Sequence, residues 1–145
     1  MRWLRKHDIQ MWSRLNEELL DWAETLRTAG CKTFVLSNLN REFTAHLRAT
    51  CDWLKQFDVQ IFSSEIRKIK PDQEIYRHCL QLLNCTASEA LFIDDREANV
   101  IAARREGITA LVYRSAKQLR SELKAIGWSL LPSVNDQPIS AHGVR

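Results

Sequence analysis

Four short apolar runs without helical period, Lys32 to Leu36, Asp58 to Phe62, Ala90 to Ile93 and Ile108 to Tyr113, are separated by longer amphipathic stretches. Runs of this length, rich in β-branched and aromatic residues, read as strands, and the stripes between them read as helices. Parallel strands need a crossover of a dozen or more residues, and a helix usually provides it. The alternation therefore specifies an α/β layered fold with a mostly parallel sheet. The Lys32 to Leu36 and Ala90 to Ile93 runs read as buried strands, whereas Asp58 to Phe62 is a brief alternating one.

The helical stretches have legible ends. From Met11 to Ala29, Trp12, Leu15, Leu19, Trp22 and Leu26 recur every three or four positions, and Gly30 follows where a left-handed cap belongs. A second stripe runs through Phe43, Leu47, Cys51 and Leu54. Pro71 and Asp72 open a third, from Glu74 to Leu83, because proline suits a first helical turn and an early carboxylate suits the helix dipole. Glu97 to Glu106 stops at Gly107, and Lys117 to Ile126 stops at Gly127. The 145 residues suffice for one domain with a real core. That core is expected over residues 12–128, after a short lead of residues 1–11 and before a flexible tail, residues 129–145, whose Pro, Ser, Asn and Gly lack periodicity.

The 21 basic and 18 acidic residues are scattered, and a net charge of +3 is too weak to argue for nucleic acid. No apolar stretch approaches the roughly 20 residues of a membrane span, and charges occupy the place of a signal peptide's apolar stretch, so a cytoplasmic protein is expected. Cys31, Cys51, Cys79 and Cys85 form no C-x-x-C pair, and His46 and His78 are isolated. All four cysteines are read as reduced and structural rather than as zinc ligands.

In an open parallel sheet, ligands bind at the carboxyl ends of the strands, so polar residues just after an apolar run carry the interest. The first run ends in Ser37-Asn38, where a hydroxyl and backbone N–H groups near a helix start suit a phosphate oxygen, or simply cap the helix. Lys70, in Ile69-Lys70-Pro71-Asp72, is a cation on a stiff backbone, placed to neutralise a phosphate if it is not merely solvated. Asp94-Asp95 follows Leu91-Phe92-Ile93 directly. Two adjacent carboxylates at a buried strand end repel each other and persist most easily beside a cation. Hard oxygen ligands favour Mg²⁺, which takes one or two carboxylates and leaves its other positions to water and substrate phosphate.

Taken in order, Ser37-Asn38, Lys70-Pro71-Asp72 with Ile75-Tyr76, then Phe92-Ile93-Asp94-Asp95 with Asn99-Val100, Ala102-Ala103 and Gly107, these residues resemble the second, third and fourth motifs of the haloacid dehalogenase-like (HAD) superfamily. The resemblance runs from Phe34 to Tyr113, over half the chain. It implies a three-layer Rossmann-like core and Mg²⁺-assisted hydrolysis of a small phosphorylated metabolite. It also implies roles: Ser37 and Lys70 as catalytic groups, Ser37, Asn38 and Lys70 as phosphate ligands, Asp94 and Asp95 as metal ligands, and Asn99 in support. The double aspartate points to the phosphatase branch, since the dehalogenase branch works without a metal. Response-regulator receivers use similar residue types, but with the acidic pair first along the chain.

The superfamily's nucleophile, the first aspartate of an Asp-x-Asp motif closing a first apolar strand, has no counterpart here. Asp8, in His7-Asp8-Ile9-Gln10, follows Arg5-Lys6-His7, which is no buried strand, and has glutamine where the second aspartate belongs. The resemblance therefore implies a truncated chain, inactive alone, lacking the central first strand and most of the helical cap. Such a core would expose strand edges and invite self-association or complementation by an N-terminal segment. The alternative is a non-catalytic module that binds a phosphorylated ligand or a partner protein.

Overall fold

The computed structural model describes residues 17–132; Asp8, the lead, the first turns of the stripe from Met11 and residues 133–145 lie outside them. Helix α1 (Glu17–Thr28) has glutamates in its first turn and Arg27 in its last, matching the helix dipole at both ends. It stops at Gly30, whose φ of 91° lies in the left-handed region; there the Gly30 and Cys31 N–H groups reach back to the Arg27 and Leu26 carbonyls. Strand β1 (Phe34–Ser37) then leads to helix α2 (Arg41–Thr50), capped by the Asn40 side chain accepting from the Phe43 N–H at 2.8 Å. Strand β2 (Val59–Phe62) runs parallel to β1, with Leu36 opposite Ile61.

A single helical turn, α3 (Ser63–Ile66), and the left-handed Arg67 lead to Lys70 and to helix α4 (Gln73–Leu83). Strand β3 (Leu91–Asp94), helix α5 (Glu97–Arg105) and strand β4 (Thr109–Val112) form a second parallel pair with its crossover, with Phe92 opposite Ala110. Helix α6 (Ala116–Ala125) starts in a capping box between Ser115 and Gln118.

Side-chain alternation along the strands makes three layers. Leu36, Ile61, Phe92 and Ala110 face one way and pack with Ile75, Tyr76 and Cys79 of α4 and Val100 and Ala103 of α5. Their neighbours Val35 and Phe62 face the other way, onto Leu47 of α2, and Leu111 meets Trp22 of α1 and Leu119 and Leu123 of α6. The α4–α5 layer spans both strand pairs and so joins them. Among the described residues β1 and β3 make no ladder with each other; each belongs to its own two-stranded sheet. Between them lies an apolar cleft of about 540 Å³, lined by Leu19, Trp22, Phe34, Leu36, Leu91, Ile93 and Trp128 among others. No helix among the described residues is long and apolar enough to cross a membrane.

The segment after Trp128 begins in packed structure despite its composition. Trp22 Nε1 donates to the Leu130 carbonyl at 2.8 Å, Arg120 donates to the Pro132 carbonyl at 2.6 Å, and Pro132 is fully buried. Tertiary donors thus engage the Leu130 and Pro132 carbonyls in a segment that has no periodicity of its own.

All four cysteines are free thiols, Cys31 exposed and Cys79 buried. Burial, with a smaller contribution from nearby Cys85, pushes the Cys79 thiol up to about 12. Relative to an ordinary thiol this lowers the reactive thiolate fraction about a thousandfold. Alkylation of the native protein near pH 8, followed by mass spectrometry, is therefore expected to label Cys31 readily and Cys79 only on unfolding. Equal labelling would contradict this packing of α4.

Candidate functional site

Each strand pair delivers one polar side chain at its inner carboxyl end: Ser37 closes β1 and Asp94 closes β3. Lys70 arrives between them from the loop after α3, and the Lys70–Pro71 peptide is cis. The Asn38 side chain holds that loop in place. Its Oδ1 accepts from the Lys70 N–H at 2.9 Å, and its Nδ2 donates to the Lys70 carbonyl at 2.8 Å. Both polar ends of the amide are thus engaged by one backbone unit, and both residues are buried.

The Lys70 ammonium donates to the Leu36 carbonyl of β1 at 3.0 Å and to Asp94 Oδ2 of β3 at 2.6 Å. One cation therefore ties the two strand ends together across the cleft. The side chains of Lys70 and Asp94 are each 1% exposed. Asp94 Oδ2 also accepts from Asn99 Nδ2 at 3.1 Å, and Oδ1 accepts from the Arg96 N–H at 2.8 Å. Burial opposes ionisation of Asp94, but nearby positive charge and hydrogen bonding, with Lys70 foremost, outweigh it and hold the carboxyl well below the usual carboxylate range. The Lys70 nitrogen also sits 5.6 Å from the centre of the Phe92 ring, within reach of a cation–π attraction.

Lys70, Asp94, Asn38 and Asn99, proposed from sequence as site residues, are brought into one hydrogen-bonded cluster. Ser37 is buried, with no side-chain hydrogen bond among the described residues, and Asp95 is exposed beside Asp94. The donor chemistry fits a hard cation, with two adjacent carboxylates, one inside and one facing solvent. Among the described residues no third acidic, cysteine or histidine side chain completes a metal-binding group with them. Sequence reasoning missed the Leu36 carbonyl, the Arg96 N–H and the Phe92 ring. Phe92 was readable in principle, since residues two apart on a strand share a face and Phe92 precedes Asp94 by two.

A family model described as haloacid dehalogenase-like hydrolase matches residues 5–107. The chain is 31% identical over 120 residues to the bifunctional epoxide hydrolase 2 of Mus musculus, covering 78% of this chain and 21% of that protein. It is 32% identical over 102 residues to a sesquiterpene phosphatase of Aspergillus oryzae, covering 70% and 52% respectively. The chain thus spans about a fifth to a half of these relatives. Its fold matches that of a HAD family enzyme from Bacteroides thetaiotaomicron solved with magnesium and inorganic phosphate, with a TM-score of 0.58, 24% identity and coverage of 66% of this chain and 51% of that one. Since the matched segment covers well over half of the chain and takes in β1, β2, the lysine loop, β3 and α5, the chain belongs to the haloacid dehalogenase-like hydrolases.

Proposed function

We propose that this core serves Mg²⁺-assisted phosphoryl transfer from a small phosphate monoester to water. The observation that carries the reading is the buried Lys70–Asp94 pair at the carboxyl ends of β1 and β3, with Asp95 exposed beside it. Lys70 would neutralise the transferring group, and the Ser37 hydroxyl would donate to one of its oxygens. Because the Asn38 side chain grips the Lys70 backbone, a phosphate contact from Asn38 would use its own backbone. Asp94 and Asp95 would hold Mg²⁺, whose charge would stabilise the phosphoryl oxygens, and Asn99 would keep Asp94 oriented. The substrate is a small phosphorylated metabolite rather than a nucleic acid or a membrane surface, and four reduced thiols suit the cytoplasm.

On this reading both carboxylates at the site are cation ligands, so the attacking group comes from elsewhere. A strand ending in Asp-x-Asp and set between β1 and β3 would bring it within reach, and the apolar cleft is where such a strand would lie. Without it, the facing strand edges favour self-association.

A non-catalytic module that binds a phosphorylated ligand or a partner protein is the second reading. It is favoured by the lack of a further acidic side chain grouped with Asp94 and Asp95 among the described residues. One assay separates the two. The chain alone is expected to release no phosphate from an aryl phosphate with Mg²⁺ above a buffer control. A second polypeptide carrying the Asp-x-Asp strand and a cap is expected to restore release, which Lys70→Met should then abolish. An inactive mixture that still binds inorganic phosphate would favour the binding module, whereas turnover by the chain alone, lost in Asp8→Asn, would place the attack at Asp8.

A further inference from the structure

Tyr76 lies outside the groups assigned above, yet it closes a ring of contacts around them. Its hydroxyl donates to the Asn99 backbone carbonyl at 2.8 Å, in the first turn of α5. The Asn99 side chain in turn donates to Asp94 Oδ2, the oxygen that pairs with Lys70. On its other side the Tyr76 ring meets Phe92 edge to face, with centroids 5.5 Å apart and planes at 82°. Phe92 is the ring over which the Lys70 ammonium sits. Tyr76, Asn99, Asp94, Lys70 and Phe92 therefore form a closed circuit, with Tyr76 joining Asn99 to Phe92 on the side opposite the Lys70–Asp94 pair.

A phenylalanine at position 76 would fill the same core volume, so packing does not require the hydroxyl. We infer that Tyr76 is a positioning residue that sets the geometry of the Lys70–Asp94 pair through two separable arms, its hydroxyl acting through Asn99 and its ring acting through Phe92. Tyr76 is 1% exposed, and burial together with the Asp94 charge raises its phenol above the ordinary value, which keeps the proton available for donation. The carbonyl it reaches has two lone pairs and accepts this bond alongside the helix's own. The hydroxyl thus pins the α5 turn that aims Asn99 at Asp94. The inference takes Lys70 and Asp94 as the working groups of the proposed function, but its test does not depend on turnover.

The test is amide and ammonium hydrogen exchange by NMR on the full chain. The signals are the Asn99 side-chain amide and the Lys70 ammonium, and Val100→Ala serves as a control in the same α5 core. Denaturant is adjusted so that all variants have equal global stability. Tyr76→Phe is expected to speed exchange of the Asn99 side-chain amide by about tenfold, the scale of one lost hydrogen bond, while leaving the Lys70 ammonium near its original rate. Tyr76→Leu, which also removes the ring, is expected to speed both, and Val100→Ala neither. Identical profiles for Tyr76→Phe and Val100→Ala would reduce Tyr76 to ordinary core and overturn the inference. Calorimetry with Mg²⁺ alone is run in parallel. A wild-type chain that binds no Mg²⁺ would count against the proposed function, while the exchange data would still decide the role of Tyr76.

Discussion

Lys70→Met is expected to destabilise the domain by about 3–5 kcal/mol, the usual cost of removing one partner from a buried ion pair. The pair is fully enclosed and short, so the loss removes the buried ammonium that compensates the Asp94 charge in a low-dielectric interior. The Leu36 carbonyl loses its ammonium donor as well. Against a total stability of roughly 5–15 kcal/mol this is a large fraction, readable as a shift of the urea midpoint in metal-free buffer. The double variant Lys70→Met with Asp94→Leu should recover much of the loss, because it removes the buried carboxylate together with its ammonium.

The pH dependence of that loss follows from the same geometry. In the native protein the Asp94 carboxyl is held below its ordinary value. Its stabilising contribution is therefore fully present above the unfolded value of about 3.9 and is lost as pH falls through the lower folded one. Lys70→Met removes the foremost influence that lowers the Asp94 pKa while burial stays, so the carboxyl should titrate at higher pH in the variant, and acidification should cost the variant less stability than it costs the native protein. The two stability curves are expected to approach each other as pH falls below about 4. A gap that stays constant with pH would mean that Lys70 stabilises the fold by packing its methylenes rather than by pairing.

Asn38→Ala is expected to cost about 2–4 kcal/mol, because the amide satisfies both a buried N–H and a buried carbonyl of Lys70 and each group left unpaired costs roughly 1–3 kcal/mol. Asn38→Asp is a sharper probe of the same clamp. It keeps the shape and the acceptor but turns the donor into a second acceptor facing the Lys70 carbonyl, so it should destabilise at least as much at neutral pH. Chemical denaturation of the two variants is the measurement. A cost for Asn38→Ala under about 0.5 kcal/mol, typical of a surface site, would show that the Lys70 loop is held by something other than this amide.

Much of the architecture was legible from local chemistry. The four strands fall on the four apolar runs, with β1 and β3 extending one residue further to Ser37 and Asp94, and Gly30, Gly107 and Gly127 all adopt the positive φ that suits their places after helical stripes. The misses have local causes. The stripe through Cys51 and Leu54 suggested one helix, but α2 ends at Thr50 and a 3₁₀ segment, Asp52–Gln56, follows. Leu54 is buried either way, so hydrophobic spacing did not distinguish the two. The turn of α3 is too short to register a period, and no local pattern announces that donors from α1 and α6 reach the Leu130 and Pro132 carbonyls.

The sequence by itself determined the α/β alternation, the family, and which strand ends carry Ser37, Asn38, Asp94 and Asp95, because periodicity and the residue following an apolar run are local properties. Only the tertiary structure decided what those groups do to one another. Asn38 and Lys70 are 32 positions apart, and Lys70 and Asp94 are 24 apart; their partnership exists because two strand pairs are packed side by side under one helical layer. A sequence lists the amide of Asn38 as a candidate for any donor or acceptor. The fold commits it to the backbone of Lys70, because a buried amide must satisfy both of its ends and the peptide unit of the lysine loop is the group placed to do so.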